Sequence, residues 1–390
     1  MTLLQHLQIV EDPRIERTRR HDLQAILAMS LCATLAGADN WQEVAQFART
    51  HQPWLQQWMQ LPHGVPSHDT FCRVFRLIDT QQLQHACQQW LTQVAGQVQG
   101  TVAIDGKSVR GSRKGDAGRA LHMVSAWASD MGLLLGQCQV DGKSNEITAI
   151  PELLALLHLK GCIVTIDAMG CQKAIAQQLH THGADYILSL KGNQKHMHEV
   201  TRKCFEAQPQ AQEPVQQGSQ ANHKRKGSEP QGKPNLYKEE HQGHGRRELR
   251  EYEVRPIPEA LQRAAEHWEG LASVVQVRRQ RQQGDNPMSE EVSYYLSSLP
   301  AHVAADVFAH SIRSHWAVEN QLHWSLDVAM REDAGQSYKG QGPHNQSLLR
   351  RMALQMLKEE KSTKASVAVK RKRAGWDLGY LEVLLKREAI

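Results

Sequence analysis

Through its first 96 residues the chain repeats apolar side chains at helical spacing among good helix formers. "HDLQAILAMSLCATLAGA", "NWQEVAQFARTHQPWLQQWMQ", "SHDTFCRVFRLID" and "TQQLQHACQQWLTQVAGQV" each predict a helix. Ser67, behind Pro66, is a ready N-cap, and Thr80 opens the next helix. The region "HGVPSHDTFCRVFRL" has the shape of a helix-turn-helix with Asp69, Thr70 and Arg73 outward, although a plain helical packing domain fits the same pattern.

At Thr101 the period changes. "TVAID" is a short apolar run ending in a carboxylate, and "HMVSAWAS" and "LLLGQCQV" around "SDMG" predict a hairpin. "NEITAIPELLALLHL" predicts a helix with Pro151 in its opening turn. "GCIVTID" is a second buried strand ending in an aspartate, "CQKAIAQQLHTHG" a helix closed by Gly183, and "ADYILSLK" a further strand. Residues 206–235 are rich in Gln, Pro and Gly without periodicity and predict a mobile linker. "RRELREYEV", "SVVQVRRQR" and "EVSYYLSSL" then predict a small antiparallel unit. In "IRSHWAVENQLHWSLDVAMRED", Val318, Leu322 and Leu326 recur at every fourth position as a buried stripe. Glu319, His323 and Asp327 follow one position round. "PHNQSLLRRMALQMLKEEK" predicts a last helix before a basic tail.

Composition narrows the class. No run approaches the ~18 apolar residues of a membrane helix, and the N-terminus meets charge too early for a secretory signal. Seven cysteines without a C-x-x-C pair fit a reducing cytosol, so a cytoplasmic protein is expected. Net charge is +5, and "KRKRAG", "HKRKG" and the Arg278–Arg281 run concentrate it, which suits either nucleic acid or a solvated surface.

Asp105 and Asp167 end apolar strands, where a polar side chain reaches a cleft, and the late helix brings Glu319. Each alone is as well explained as a turn, cap or surface residue. Together, three carboxylates at one point need a cation or a shared proton. Magnesium is the natural cation, and two such ions suit in-line phosphoryl chemistry. "GKS" at Gly106 is no phosphate loop, because Thr101 occupies the position of the required glycine. The histidine pairs 180/182 and 196/198 lack zinc partners.

The blocks "AIDGKSVRGS", "TIDAMGCQKAIA", "DYILSLKGNQ", "GHGRRELREYEV" and "IRSHWAVENQLHWSLDVAMRED" closely resemble, in this order, bacterial insertion-sequence transposases of the ISAs type. That group includes the H-repeat-associated proteins. "GVPSHDTFCRVF" and "KRKRAGWDLGYLEVLL" extend the resemblance over nearly the whole chain. It implies an α/β fold: a ribonuclease-H-like mixed sheet flanked by helices, with an all-α N-terminal domain and a β-rich insertion before the last catalytic helix.

The expected organisation is a helical domain over 1–96 and a catalytic core over 97–205. The linker and insertion follow over 206–300, then the last core helix over 301–345 and a helix with basic tail over 346–390. The resemblance also implies that Asp105, Asp167 and Glu319 are catalytic ligands of two Mg2+ ions, replaceable by Mn2+. The partners implied are double-stranded DNA, as terminal inverted repeats and target, and a second copy of the chain, near the bacterial nucleoid.

Lys107, Arg110, Lys191, Asn193, Gln194 and Arg73 are expected to contact DNA. Related transposases carry Tyr, Arg and Lys at offsets matching Ile312, His315 and Leu326 here, leaving Arg313 and His315 as substitutes. Trp316 and Trp324 are expected in the core rather than stacked on a displaced base. Two other readings remain open: a silent DNA-binding descendant, or a nuclease of the same fold that does not join strands.

Overall fold

The computed structural model describes residues 2–113, 120–140, 145–207, 235–243, 245–284 and 286–386. The Gln-rich stretch and its "HKRKG" run fall almost wholly outside the described residues. Two compact units emerge. One comprises the chain up to Cys162 together with Ser314 onward, and the other is Ile163–Arg313.

The first unit is built around the helix Leu23–Leu35, which is buried on nearly every side. Such a helix must hide its polar groups. Ser30 and Thr34 do so by donating to the carbonyls of Ile26 and Ser30, one turn back (2.8 and 2.7 Å). Helices Trp41–Thr50, His68–Leu77 and Thr80–Ala95 pack around it with Gly342–Glu359, and Asn40, Ser67 and Asp79 cap three of them as N-caps. Beyond the helices lie β1 (Thr101–Val109), β2 (Leu121–Ala128) and β3 (Leu133–Gln139), joined antiparallel. Ala103, Trp127 and Leu134 on one face of these strands share a core with Val318, Leu322, Leu326 and Met330.

The helix after β3 runs Glu146–Ala155. Pro151 sits inside it rather than in its opening turn, because Asn145 caps the helix a turn earlier by accepting from Ile147 N–H (3.1 Å).

The second unit begins with β4 (Ile163–Ile166) and β5 (Asp185–Leu190), which are parallel and connected by the helix Lys173–Thr181. The insertion supplies β6 (Asn235–Gly243), β7 (Arg246–Pro256), β8 (Ser273–Gln283) and β9 (Ser289–Ser297), all antiparallel. It is not a separate little sheet: β9 pairs with β8 on one side and with β5 on the other, from Ile187↔Ser297 to Leu190↔Tyr294. β6 has no apolar alternation because it is an exposed edge strand, held by cross-strand pairs such as Lys238–Glu251 (2.6 Å) and Arg247–Glu240 (2.6 Å).

The fold class is therefore α/β with a mixed sheet flanked by helices. Its chain order from β1 to β5 is strand, strand, strand, helix, strand, helix, strand, as the sequence predicted for a ribonuclease-H-like core.

Candidate active site

The helix bearing Glu319 widens where the glutamate sits. After Ala305–Ala317 the chain continues through π-helical turns over Val318–His323 and Ser325–Ala329. Trp324 N–H bonds to the Glu319 carbonyl and Met330 N–H to the Ser325 carbonyl (3.1 Å), five residues back in each case. An α-helix advances about 100° per residue, so a four-residue repeat would drift by about 40° a step. The wider turns cancel that drift. Val318, Leu322, Leu326 and Met330 consequently stay in one column, all at most 1% exposed. Glu319, His323 and Asp327 form the adjacent column, and Trp316, Trp324 and Val328 lie on the far side in water. The two tryptophans are 53% and 59% exposed, so the expectation that they belong to the core is overturned. Here nothing among the described residues packs across the helix from the buried column, so that side is left to solvent.

His323 and Asp327 of this column face β1. Strand alternation puts Asp105 and Lys107 on the face already buried at Ala103. His323 Nδ1 lies 3.6 Å from Asp105 Oδ2, and Lys107 Nζ lies 2.8 Å from Asp327 Oδ1. Lys107 also pairs with Glu332 (3.1 Å) and Asp333 (3.3 Å). Glu332, wholly buried, receives in addition Arg351 and the Ser347 hydroxyl (2.8 Å). Arg331, just before it, takes the left-handed conformation (φ 49°), a strain that turns the chain into this cluster.

Electrostatics follow from that crowding. Burial opposes the charge on Glu332, yet Arg351 and Lys107 pull its pKa down to about 2. Burial likewise opposes the Lys107 ammonium, but Glu332, Asp327 and Asp333 outweigh it and raise its pKa. Burial, then Arg351 and Lys107, push His323 down to about 3, so its ring is neutral.

The opposite face of β1 explains "IDGKS". Ser108 Oγ contacts His122 Nδ1 (2.8 Å), and His122 Nε2 contacts Glu146 (2.6 Å). A side chain at position 106 would run into both, 2.1 Å from the Glu146 oxygen, so Gly106 makes room for a contact rather than for a phosphate.

In the second unit, Asp167 follows β4 and its Oδ1 accepts from the N–H groups of Met169 (3.0 Å) and Gly170 (3.2 Å). Asn193 and Gln194 donate to the carbonyls of Ala168 (2.5 Å) and Cys171 (3.0 Å), so both brace the loop that follows Asp167. Arg313 is bound to Glu239 (2.8 Å) and His241 (2.8 Å).

Among the residues expected on DNA, Lys107 is thus buried among carboxylates, whereas Arg73 and Lys191 are exposed and Arg110 is 86% exposed. His315 is half-buried. Among the described residues, no group of three or more His, Cys, Asp or Glu side chains is gathered closely enough to hold a metal ion. Glu332, Asp333 and Arg351 carry no assignment from the sequence; "MRED" directly after the helix is a signal for the two carboxylates, and nothing local marks Arg351.

A transposase DDE-domain model matches residues 96–356, and a model of the segment associated with that domain matches residues 4–91. "Putative transposase YncI" of Escherichia coli O157:H7 is 37% identical over 98% of this chain and 94% of its own length. "H repeat-associated putative transposase YhhI" of Escherichia coli (strain K12) is 34% identical over 98% of this chain and 97% of its own length. The structure of a piggyBac transposase synaptic complex with hairpin DNA aligns with a TM-score of 0.45 at 9% identity, covering 99% of this chain and 77% of that one. The domain model over residues 96–356 and the two Escherichia coli relatives, matched along nearly their whole length, show that the chain belongs to the DDE transposase family.

Proposed function

We propose that this chain cuts the ends of an insertion sequence and joins the freed 3′-hydroxyl to target DNA, with Asp105, Asp167 and Glu319 as the essential carboxylates. The observation that carries the reading is the contact of His323 and Asp327, four and eight residues beyond Glu319 on its helix, with the Asp105–Lys107 face of β1. The family implies a divalent metal, and the donor chemistry fits: all three side chains offer hard oxygen, and Glu319 offers it from an exposed position. When bound there, Mg2+ or Mn2+ supplies charge neutralisation at the scissile phosphate.

The protein's own share is positioning. Lys107 and its carboxylates fix the strand against the helix, while Asn193 and Gln194 hold the loop after Asp167. Lys107 and Arg313 are held by close internal partners, so phosphate contacts fall to Lys191, Arg73 and Arg110, the last 86% exposed and loosely paired with Asp333 (3.7 Å); such contacts give affinity without sequence information. Two DNA ends imply two copies of the chain at work.

The test uses purified protein and a labelled DNA end. Asp105→Asn, Asp167→Asn and Glu319→Gln should each lower cleavage by about a hundredfold or more while a mobility-shift assay shows DNA still bound. Wild-type cleavage by any of the three removes that residue from the site. A pre-cut end then reads strand joining separately from hydrolysis.

A further inference from the structure

We infer that His323 is a positioning residue that orients the Asp105 carboxylate through its Nδ1–H. The inference rests on the reading of Asp105 as a metal ligand but concerns a contact within the protein. The ring is largely buried, with its side chain 12% exposed, and Nδ1 is the nitrogen that faces Asp105 Oδ2, at 3.6 Å. Among the described residues, Nε2 is buried with no hydrogen-bond partner.

The tautomer decides what such a ring can do. A proton on Nε2 would leave a buried donor unsatisfied and point the Nδ1 lone pair at a carboxylate, two costs at once. A proton on Nδ1 places a donor toward Asp105 and leaves one acceptor unpaired, a single cost in place of two. The separation exceeds a hydrogen bond by a few tenths of an ångström, a gap of the size that closes when a site is loaded. Carboxylates that hold metals are commonly held in turn by such a donor, which fixes which oxygen points at the ion. His323 lies four residues after Glu319 in the same column, so the same helix that presents one carboxylate steers another.

Two measurements test this. In the metal-free protein, 15N-resolved NMR of the histidine rings should show His323 protonated at Nδ1 and bare at Nε2. The reverse tautomer overturns the inference whatever the enzyme does.

Mn2+ titration followed by electron paramagnetic resonance supplies the second readout. His323→Leu should weaken Mn2+ binding by about 10–100-fold. His323→Asn, whose amide N–H falls where Nδ1 stands, should restore it, whereas His323→Gln, which mimics Nε2, should not. Equal Mn2+ binding by the Leu variant and wild type defeats the positioning role. Asp105→Asn separates the two ideas. If it too binds Mn2+ like wild type, the assignment of Asp105 is what fails; if it loses binding and His323→Leu does not, only the inference fails.

Discussion

Lys107 Nζ stands 2.8 Å from Asp327 Oδ1, which ties the strand of Asp105 to the helix of Glu319. The tie lies two residues beyond one carboxylate and eight beyond the other. Because Glu332 and Asp333 share the same ammonium, removing it leaves a fully buried carboxylate short of a cation. Breaking a buried pair from one side costs about 3–5 kcal/mol. Lys107→Met should lower the unfolding free energy by that amount, read as a lower urea midpoint at an unchanged slope. A midpoint equal to wild type would mean that the cluster adds nothing to the fold.

The same cluster sets a pH response. Glu332 has its pKa lowered to about 2, so the stability it contributes is complete above the ordinary carboxylate value of 4.5 and is lost as pH falls toward 2. His344 acts at milder acidity. Burial, aided by Arg351, lowers its pKa to about 4, so between 6.5 and 4 only the unfolded chain takes up its proton, and stability falls with pH. Each such group contributes a slope of about 1.4 kcal/mol per pH unit. Denaturation from pH 7 to pH 4 should show stability declining throughout, and His344→Gln should make the decline shallower. An unchanged slope in that variant would show that the ring titrates freely in the folded state.

The core elements were legible because their periods are simple. The leading helices, the hairpin, the strands ending at Asp105 and Asp167 and the buried Val318–Leu322–Leu326 stripe can all be read from alternation and spacing. Three things could not be read that way. The strand Asn235–Gly243 is polar on both faces because it is an exposed edge, so it carries no apolar signal. The partners of Lys107 come from positions 327, 332 and 333, and no local pattern announces a pairing across more than two hundred residues. The exposure of Trp316 and Trp324 runs against their hydrophobicity and follows only from the column in which they lie. A strict four-residue repeat already said which side faced out.

Those tryptophans lead to a third expectation. Each exposes more than half its surface on the helix that carries Glu319, next to the acidic column. Trp316→Ala and Trp324→Ala should therefore change stability by only about 0.5 kcal/mol, as at other surface positions. If the rings stack on bases near the cut, each substitution should weaken single-strand binding by about 1–3 kcal/mol, and DNA should quench their fluorescence in the unmodified protein. Unaltered affinity in both variants would exclude stacking.

The basic run near the C-terminus divides by helix geometry into two roles. In the helix Val367–Trp376, Lys370 and Arg371 are buried. Lys370 donates to the Leu357 carbonyl (3.1 Å) at the end of Gly342–Glu359, and Arg371 to the carbonyls of Thr34 (3.0 Å), Ala329 (2.8 Å) and Ala38 (2.9 Å). These two cations, paired also with Glu360 (3.4 Å) and Asp39 (2.7 Å), satisfy carbonyls at and just beyond helix ends that would otherwise be orphaned in the interior. Lys372 and Arg373 are exposed, and Arg373 covers the Tyr380 ring with its charge still open to water. Arg371→Met should thus destabilise the fold by several kcal/mol through its lost buried hydrogen bonds, at about 1–3 kcal/mol for each group left unsatisfied. Lys372→Ala should leave the midpoint in place. If the run also meets DNA, Lys372→Ala should lower the salt dependence of binding by about one counterion, an effect read from affinities at a series of KCl concentrations. A slope identical to wild type would confine this run to its structural role.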